Sequence, residues 1–92
     1  MIQKIKHKGL KKLYKTGASS DVHAEKLTSI LGFLDVAAKA KDMDLPGYKL
    51  HPLKGNFNGF WSVWVNGNWR VIWRFDEDDD ATDVDYIDYH GK

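Results

Sequence analysis

The stretch 61–75 limits the fold more than any other part of this chain. Its odd positions, Trp61, Val63, Val65, Trp69, Val71, Trp73 and Phe75, are all apolar. Its even positions carry Ser62, Asn68, Arg70 and Arg74, with Trp64 and Ile72 among them. Successive side chains of a strand point to opposite faces, so this alternation predicts two half-buried strands. Asn66-Gly67-Asn68 between them is a hairpin signal. A two-residue Asn-Gly turn sets Val65 opposite Asn68 and splits the odd rows between the two faces. A three-residue loop sets Val65 opposite Trp69 and gathers both odd rows on one face. Register follows the buried face, so the three-residue loop is expected. Arg70 then points to the other face, near Trp64, and that face is the candidate functional surface.

The 92 residues predict a single domain, 1–92. A chain this short buries only about 60–70% of its unfolded surface, so the core must be dense. The 4 Trp, 4 Tyr and 4 Phe supply that density. The absence of cysteine excludes a disulfide framework and a thiolate metal site, and agrees with a reducing cytosol. No apolar run approaches the roughly 20 residues of a membrane span. The opening Met-Ile-Gln-Lys reads as a strand start rather than a signal peptide. The expectation is a soluble, cytoplasmic protein. Net charge is +1 but unevenly spread: residues 1–55 hold eleven Lys against five acidic residues, and 56–92 hold three basic against eight acidic. A basic N-terminal half suits a polyanion; the plainer reading is a solvated lysine-rich surface.

Residues 2–5 alternate and predict a short strand. Residues 9–15 place Leu10, Leu13 and Tyr14 on one helix face, with Lys8, Lys11, Lys12 and Lys15 around the rest. Gly17 suits the C-cap. Ser20 or Asp21 is the expected cap of a second, longer helix. It carries Leu27, Ile30, Leu31, Leu34 and Ala38 on one stripe, with Phe33 and Ala37 beside it. Lys39 and Lys41 near its end suit the helix dipole. Gly32 in mid-helix, costing about 1 kcal/mol against Ala, suggests a close contact there. A loop over 42–47 leads to a strand start at 48–50, and Pro52 limits the next segment to a strand end or edge. Residues 56–59 turn the chain into the hairpin. Residues 76–83 form an acidic loop and 84–89 the last strand. Strand, helix, helix, then about four strands is an α+β pattern: two N-terminal helices packed on an antiparallel sheet. No repeat is visible.

The acidic run Asp76-Glu77-Asp78-Asp79-Asp80 invites a calcium reading, but counting from Asp76 the sixth and twelfth positions are Ala81 and Ile87, not Gly and Glu. It reads as a solvated hairpin tip. Arg70 is a surface arginine, a cation stacked on Trp64, or an anion clamp held by a rigid strand. His51 and Lys54 share a constrained turn; alone, each reads as a surface residue. Asp88, Tyr89 and His90 close the last strand. Together these positions suit one reaction. RNA is cut without a metal when its own 2′-hydroxyl attacks the adjacent phosphate. That step needs a base, cations on the developing phosphorane, and an acid for the leaving oxygen. Histidine can act as base or acid near neutrality. Lys54 and Arg70 can carry negative charge, and Tyr89 offers a ring for stacking or a hydroxyl for orientation. A metal site from His51, His90 and Asp88 is the competing chemistry, disfavoured because Lys and Arg nearby repel a cation.

These residues resemble a family. Tyr-Lys-Leu-His-Pro-Leu-Lys-Gly at 48–55, Asn-Trp-Arg-Val at 68–71, Asp-Tyr-His at 88–90 and the opening Ile-Lys-His-Lys-Gly-Leu-Lys-Lys-Leu-Tyr at 5–14 are similar, in order and spacing, to the HigB branch of the RelE-like toxins. The resemblance implies a bacterial type II toxin that enters the ribosomal A site and cleaves mRNA. Cleavage through the 2′-hydroxyl leaves a 2′,3′-cyclic phosphate and a 5′-hydroxyl. It implies a microbial-RNase-like fold with helices packed on a curved antiparallel sheet. It implies no cofactor, and a HigA-like helix-turn-helix antitoxin that also represses the operon. Carried over by position, His51, Lys54, Arg70, Asp88, Tyr89 and His90 are the active-site residues. Lys54 and Arg70 would stabilise the phosphorane, His90 or Asp88 would be the base, and His51 is one candidate acid. Two features depart from the pattern: the acidic 76–83 loop, and Gly91-Lys92 beyond the usual Asp-Tyr-His end. Lys8, Lys11, Lys12 and Lys15 are the expected RNA- or ribosome-binding residues; the alternative function is a non-catalytic module that docks antitoxin or RNA through this basic helix face, where Lys8, Lys11 and Lys12 would matter.

Overall fold

A computed structural model gives the fold and describes residues 1–90; the Gly91-Lys92 extension lies outside them. Helices α1 (Lys8–Thr16) and α2 (Ala24–Val36) precede strands β1 (His51–Pro52), β2 (Trp61–Asn66), β3 (Trp69–Phe75) and β4 (Ala81–Asp88). Two short 3-10 turns, Ala40–Met43 and Gly55–Phe57, flank β1. The four strands form one antiparallel sheet in the order β1-β2-β3-β4, with the helices packed against it. This is the α+β architecture that the residue pattern implies.

The central hairpin keeps the expected face but not the expected turn. Trp61 pairs with Trp73, Val63 with Val71 and Trp64 with Arg70, so the odd rows share a face. The pairing then shifts, and Asn66 meets Trp69. The turn is therefore Gly67-Asn68, with Val65 as an extra bulged residue on β2. Gly67 has φ 54, which a tight hairpin turn demands of its first residue. The bulge reconciles a two-residue turn with a one-sided apolar row, a combination that strict alternation does not allow. A second shift lies between β3 and β4, where Ile72 pairs with Asp85 but Arg74 with Thr82. Both bulges bend the sheet.

Val63, Val65, Val71 and Trp73 face the core with Leu10 and Leu13 of α1 and Leu27, Ile30, Leu31 and Leu34 of α2. Trp69, on the same row, escapes it at 40% exposure because it stands at the hairpin end, tilted on Tyr86. The other face is not bare: Ser62 and Ile72 are buried there. Residues 2–5 do not form a full strand. They run parallel along β4, with one bridge, Ile5 to Val84, and hydrogen bonds from Gln3 N to Ala81 O and from Val84 N to Lys4 O.

Helix α1 is capped by a histidine: His7 Nδ1 accepts from Leu10 N at 3.1 Å. Gly17 ends it with φ 76, as expected. Tyr14, placed on the apolar stripe by spacing, is instead 36% exposed, its hydroxyl donating to Asp35. Neither Ser20 nor Asp21 caps α2. The N-cap is His23, and Asp21 spends its carboxylate one turn earlier, accepting from His23 N at 2.7 Å. The helix stops at Val36 rather than Ala38, because Asp42 accepts from Ala38 N and Lys39 N and draws the chain into a 3-10 turn. Lys39 and Lys41 thus lie beyond the helix, whose last turn holds no basic residue. Residues 48–50 are not strand: Lys49 has φ 50, and Tyr48 O accepts from Trp64 N as an isolated contact. Strand pairing covers His51 and Pro52 on the sheet edge, where the missing proline N–H faces away from β2, and Leu53 N still donates to Phe60 O beyond it. The acidic loop is shorter than expected. Asp76 Oδ1 accepts from Asp78 N and Asp80 N, and β4 starts at Ala81.

Gly32 makes no close contact, since an added Cβ would meet nothing within 4 Å. Gly32→Ala is therefore expected to stabilise the fold by about 1 kcal/mol in urea unfolding; a destabilised variant would show that the glycine is required. Asp35 ties three elements together, accepting from Tyr14 Oη at 2.6 Å and from Ile2 N at 3.0 Å. The Tyr14 hydroxyl first, and the Ile2 N–H second, hold the Asp35 carboxyl below its usual range, and the same contact pushes Tyr14 up to about 12. The carboxyl's contribution is full above the ordinary carboxylate range and lost as pH falls through its lowered value. Tyr14's is full below pH 10 and lost as pH rises toward about 12. Asp35→Ala should cost about 1 kcal/mol at pH 7 and flatten both limbs of the stability–pH curve. Unfolding curves of equal pH dependence in the two proteins would contradict this.

Candidate active site

Away from the helices, the sheet forms the floor of an open groove of about 980 Å³, lined by Lys49, His51, Pro52, Lys54, Ser62, Asn68, Arg70, Tyr89 and His90. Strand register brings these residues together. His51 pairs with Ser62, Ser62 with Ile72, and Ile72 with Asp85, a row that crosses all four strands on one face. The next row is Trp64, Arg70 and Ile87. Arg70 thus sits on a strand with neighbours on both sides, between one wall made by β1 and its following turn and another made by the hairpin tip and the end of β4.

Arg70 is half-buried, and its Nη1 is buried without a hydrogen-bond partner. A guanidinium stays charged under all ordinary conditions. Leaving one of its donors buried and unsatisfied costs about 1–3 kcal/mol. Arg70 also lines the groove, so an anion entering it would meet the same guanidinium. The alternative of Arg70 stacked on Trp64 is not what the ring does, for Lys26 and Lys49 lie over the indole instead.

Lys54 is carried on a braced turn. Leu53 is buried, its N–H donating to Phe60 O, and Phe57 N donates to Lys54 O. Phe57 packs edge-on against Phe60 at 5.9 Å and Tyr89 at 6.2 Å. This small aromatic cluster on the groove side joins the Lys54 turn to the end of β4 and sets the Tyr89 ring at the groove wall.

His90 follows the last strand but is held. Tyr89 N donates to Asn68 O at 2.8 Å. His90 Nε2 lies 3.1 Å from Asp88 Oδ1, and Nδ1 lies 3.2 Å from Asn68 Nδ2. An ionised carboxylate only accepts, so the tautomer protonated at Nε2 is the one that turns its N–H side to Asp88. In that tautomer the Nδ1 lone pair faces the Asn68 amide. Asp88 itself does not line the groove; it touches the site through His90.

Of the six residues named from sequence, the groove gathers His51, Lys54, Arg70, Tyr89 and His90, with Asp88 behind His90. Lys8, Lys11, Lys12 and Lys15 are exposed on α1 and lie outside it; Lys11 and Lys15 border a separate shallow pocket with Ile2 and Tyr14. Asn68, Lys49 and Ser62 are groove residues that the residue pattern does not single out. Asn68 reads in sequence as a turn residue alone. Ser62 had a usable signal, since it shares the even row of Arg70. No group of three or more His, Asp or Glu among the described residues is arranged to hold a metal ion.

Residues 3–90 match the family model for the RelE-like toxin of type II toxin–antitoxin systems, HigB. The chain belongs to the HigB family of RelE-like toxins. It is also similar to Endoribonuclease HigB of Proteus vulgaris, with 42% identity over 93 residues, covering 98% of this chain and 100% of the relative. As a type II toxin it has an antitoxin for a partner. Three of the four segments that carry the resemblance, 48–55, 68–71 and 88–90, lie far apart in sequence yet all contribute to the one groove.

Proposed function

We propose that this toxin is an endoribonuclease that cleaves mRNA in the ribosomal A site, without a metal, by attack of the RNA's own 2′-hydroxyl. The observation that carries the reading is the unpartnered Arg70 guanidinium in a groove with an imidazole on each wall. His90 takes the 2′-proton at Nδ1, where the 2′-hydroxyl displaces the Asn68 amide, and Asp88 holds the ring and stabilises the imidazolium that forms, as a carboxylate does behind a catalytic histidine. The 2′-oxygen bonds to phosphorus, and Arg70 with Lys54 carries the charge of the phosphorane. The bond to the 5′-oxygen then breaks, and His51 on the opposite wall donates a proton to it. A 2′,3′-cyclic phosphate and a 5′-hydroxyl result. Tyr89, braced by Phe57, stacks on a base beside the cleaved bond. Cations supplied by the chain do the work a metal does elsewhere. Lys8, Lys11, Lys12 and Lys15 face ribosomal RNA. A HigA-like helix-turn-helix antitoxin neutralises the toxin and links it to operator DNA. Ribosomes as the target put the toxin in the cytoplasm.

Arg70→Ala should lower cleavage by about 10²–10³-fold and His90→Ala by about 10²–10⁴-fold. Both should relieve growth arrest while far-UV circular dichroism stays native; full toxicity in both folded variants refutes the assignment. Cleavage on intact ribosomes should survive EDTA, and strict dependence on added zinc would instead support a metal mechanism.

A further inference from the structure

Trp64 stands next to Arg70 across the β2–β3 ladder, and two lysines share its ring. Lys26 Nζ lies 4.5 Å and Lys49 Nζ 4.3 Å from the indole centroid. One such cation over a ring is ordinary, since an aromatic face attracts positive charge. Two on one ring bring like charges together. Burial first, and the Lys49 charge second, pull the Lys26 ammonium below its usual range. Among the described residues neither ammonium is in an ion pair, and Lys26 has only a long hydrogen bond, 3.5 Å, to Gly47 O.

The backbone builds this arrangement. Lys49 sits at φ 50, uncommon for a residue with a side chain. Trp64 N donates to Tyr48 O at 2.6 Å, and the indole N–H donates to Gly67 O at 2.9 Å. The ring is thus pinned from the strand and from the turn. Lys49 also lines the groove, so the two-lysine ledge continues the cationic surface that begins at Arg70.

We propose that Lys26, Lys49 and Trp64 form a second phosphodiester subsite, gripping the substrate strand next to the bond held at Arg70. The proposal rests on the nuclease reading above and adds a binding position to it. Each ammonium keeps free donors, and a phosphate beside them offsets their repulsion while the indole limits where they can swing. Paired residues on adjacent strands have Cα atoms about 4.5–5.5 Å apart, so the ledge neighbours the guanidinium. The subsite recognises backbone charge, not base identity.

The test is fluorescence anisotropy of a labelled RNA strand carrying a 2′-deoxy sugar at the scissile step, titrated against salt. Lys26→Gln with Lys49→Gln should weaken binding about tenfold and reduce the log–log salt slope by about 0.7, the value for one phosphate that is no longer neutralised. Lys26→Arg with Lys49→Arg should bind as the native protein does. An unchanged slope in the Gln pair, with native unfolding temperature, overturns the subsite. So does a loss confined to binding of mRNA-free ribosomes, which would assign the lysines to ribosomal RNA. Because the strand cannot be cleaved, this result is independent of the Arg70→Ala activity test: a strand that binds through the lysines but is never cut in its ribose form on translating ribosomes would sink the nuclease reading alone.

Discussion

The register of the β2–β3 hairpin governs everything that follows from this fold. Val63 against Val71 and Trp61 against Trp73 place a bulky apolar row under the helices. A slip of one residue would turn Trp73 and Val71, both fully buried, toward solvent and push Arg70 into the core. Fully burying such side chains is worth about 1.5–3 kcal/mol each, and an unpaired buried charge costs more. The bulge at Val65 is what lets a tight Gly67-Asn68 turn serve this register. The same turn sets Asn68 where its carbonyl and amide meet Tyr89 and His90. The constraint that builds the core therefore also fixes one wall of the groove.

Charge pairing separates the two arginines of β3. Arg70 and Arg74 lie on one strand, four residues apart. Arg74 Nε donates to Asp83 at 2.7 Å, and that hydrogen bond holds the Asp83 carboxyl below its usual range. Arg70 keeps a buried donor without a partner. The acidic excess of the C-terminal half sits largely at the 76–80 hairpin tip, where Asp76 caps its own turn. Asp88, which adjoins the groove through His90, is engaged with that ring. The groove thus stays cationic in a chain whose net charge is only +1.

Much of this is legible in the residues, for identifiable reasons. Period-two alternation is a direct image of the pleat, so the two central strands, their shared apolar face and the opposite side for Arg70 follow from residues 61–75. The apolar spacing of Leu27, Ile30, Leu31 and Leu34 likewise gives α2. Its ends do not follow, because they depend on carboxylates that choose between local partners: Asp21 takes His23 N, and Asp42 takes Ala38 N and Lys39 N. The segment 48–50 looks like a strand because its side chains suit one, yet Lys49 adopts a left-handed conformation that composition does not announce. Asn68 is hidden by its own plausibility as a turn residue. The pairing of Lys26 with Lys49 joins α2 to the loop before β1, a long-range approach with no trace in local pattern.

The central claim is that an unsatisfied guanidinium and a carboxylate-held imidazole make this groove a transphosphorylating site for RNA. Sequencing the 5′ ends of cellular mRNA after induced expression, with ligation chemistry selective for 5′-hydroxyls, addresses it most directly. The account predicts new 5′-hydroxyl ends inside translated reading frames, absent when Arg70 is replaced by alanine. New ends bearing 5′-phosphates, or growth arrest with no new ends at all, would contradict it.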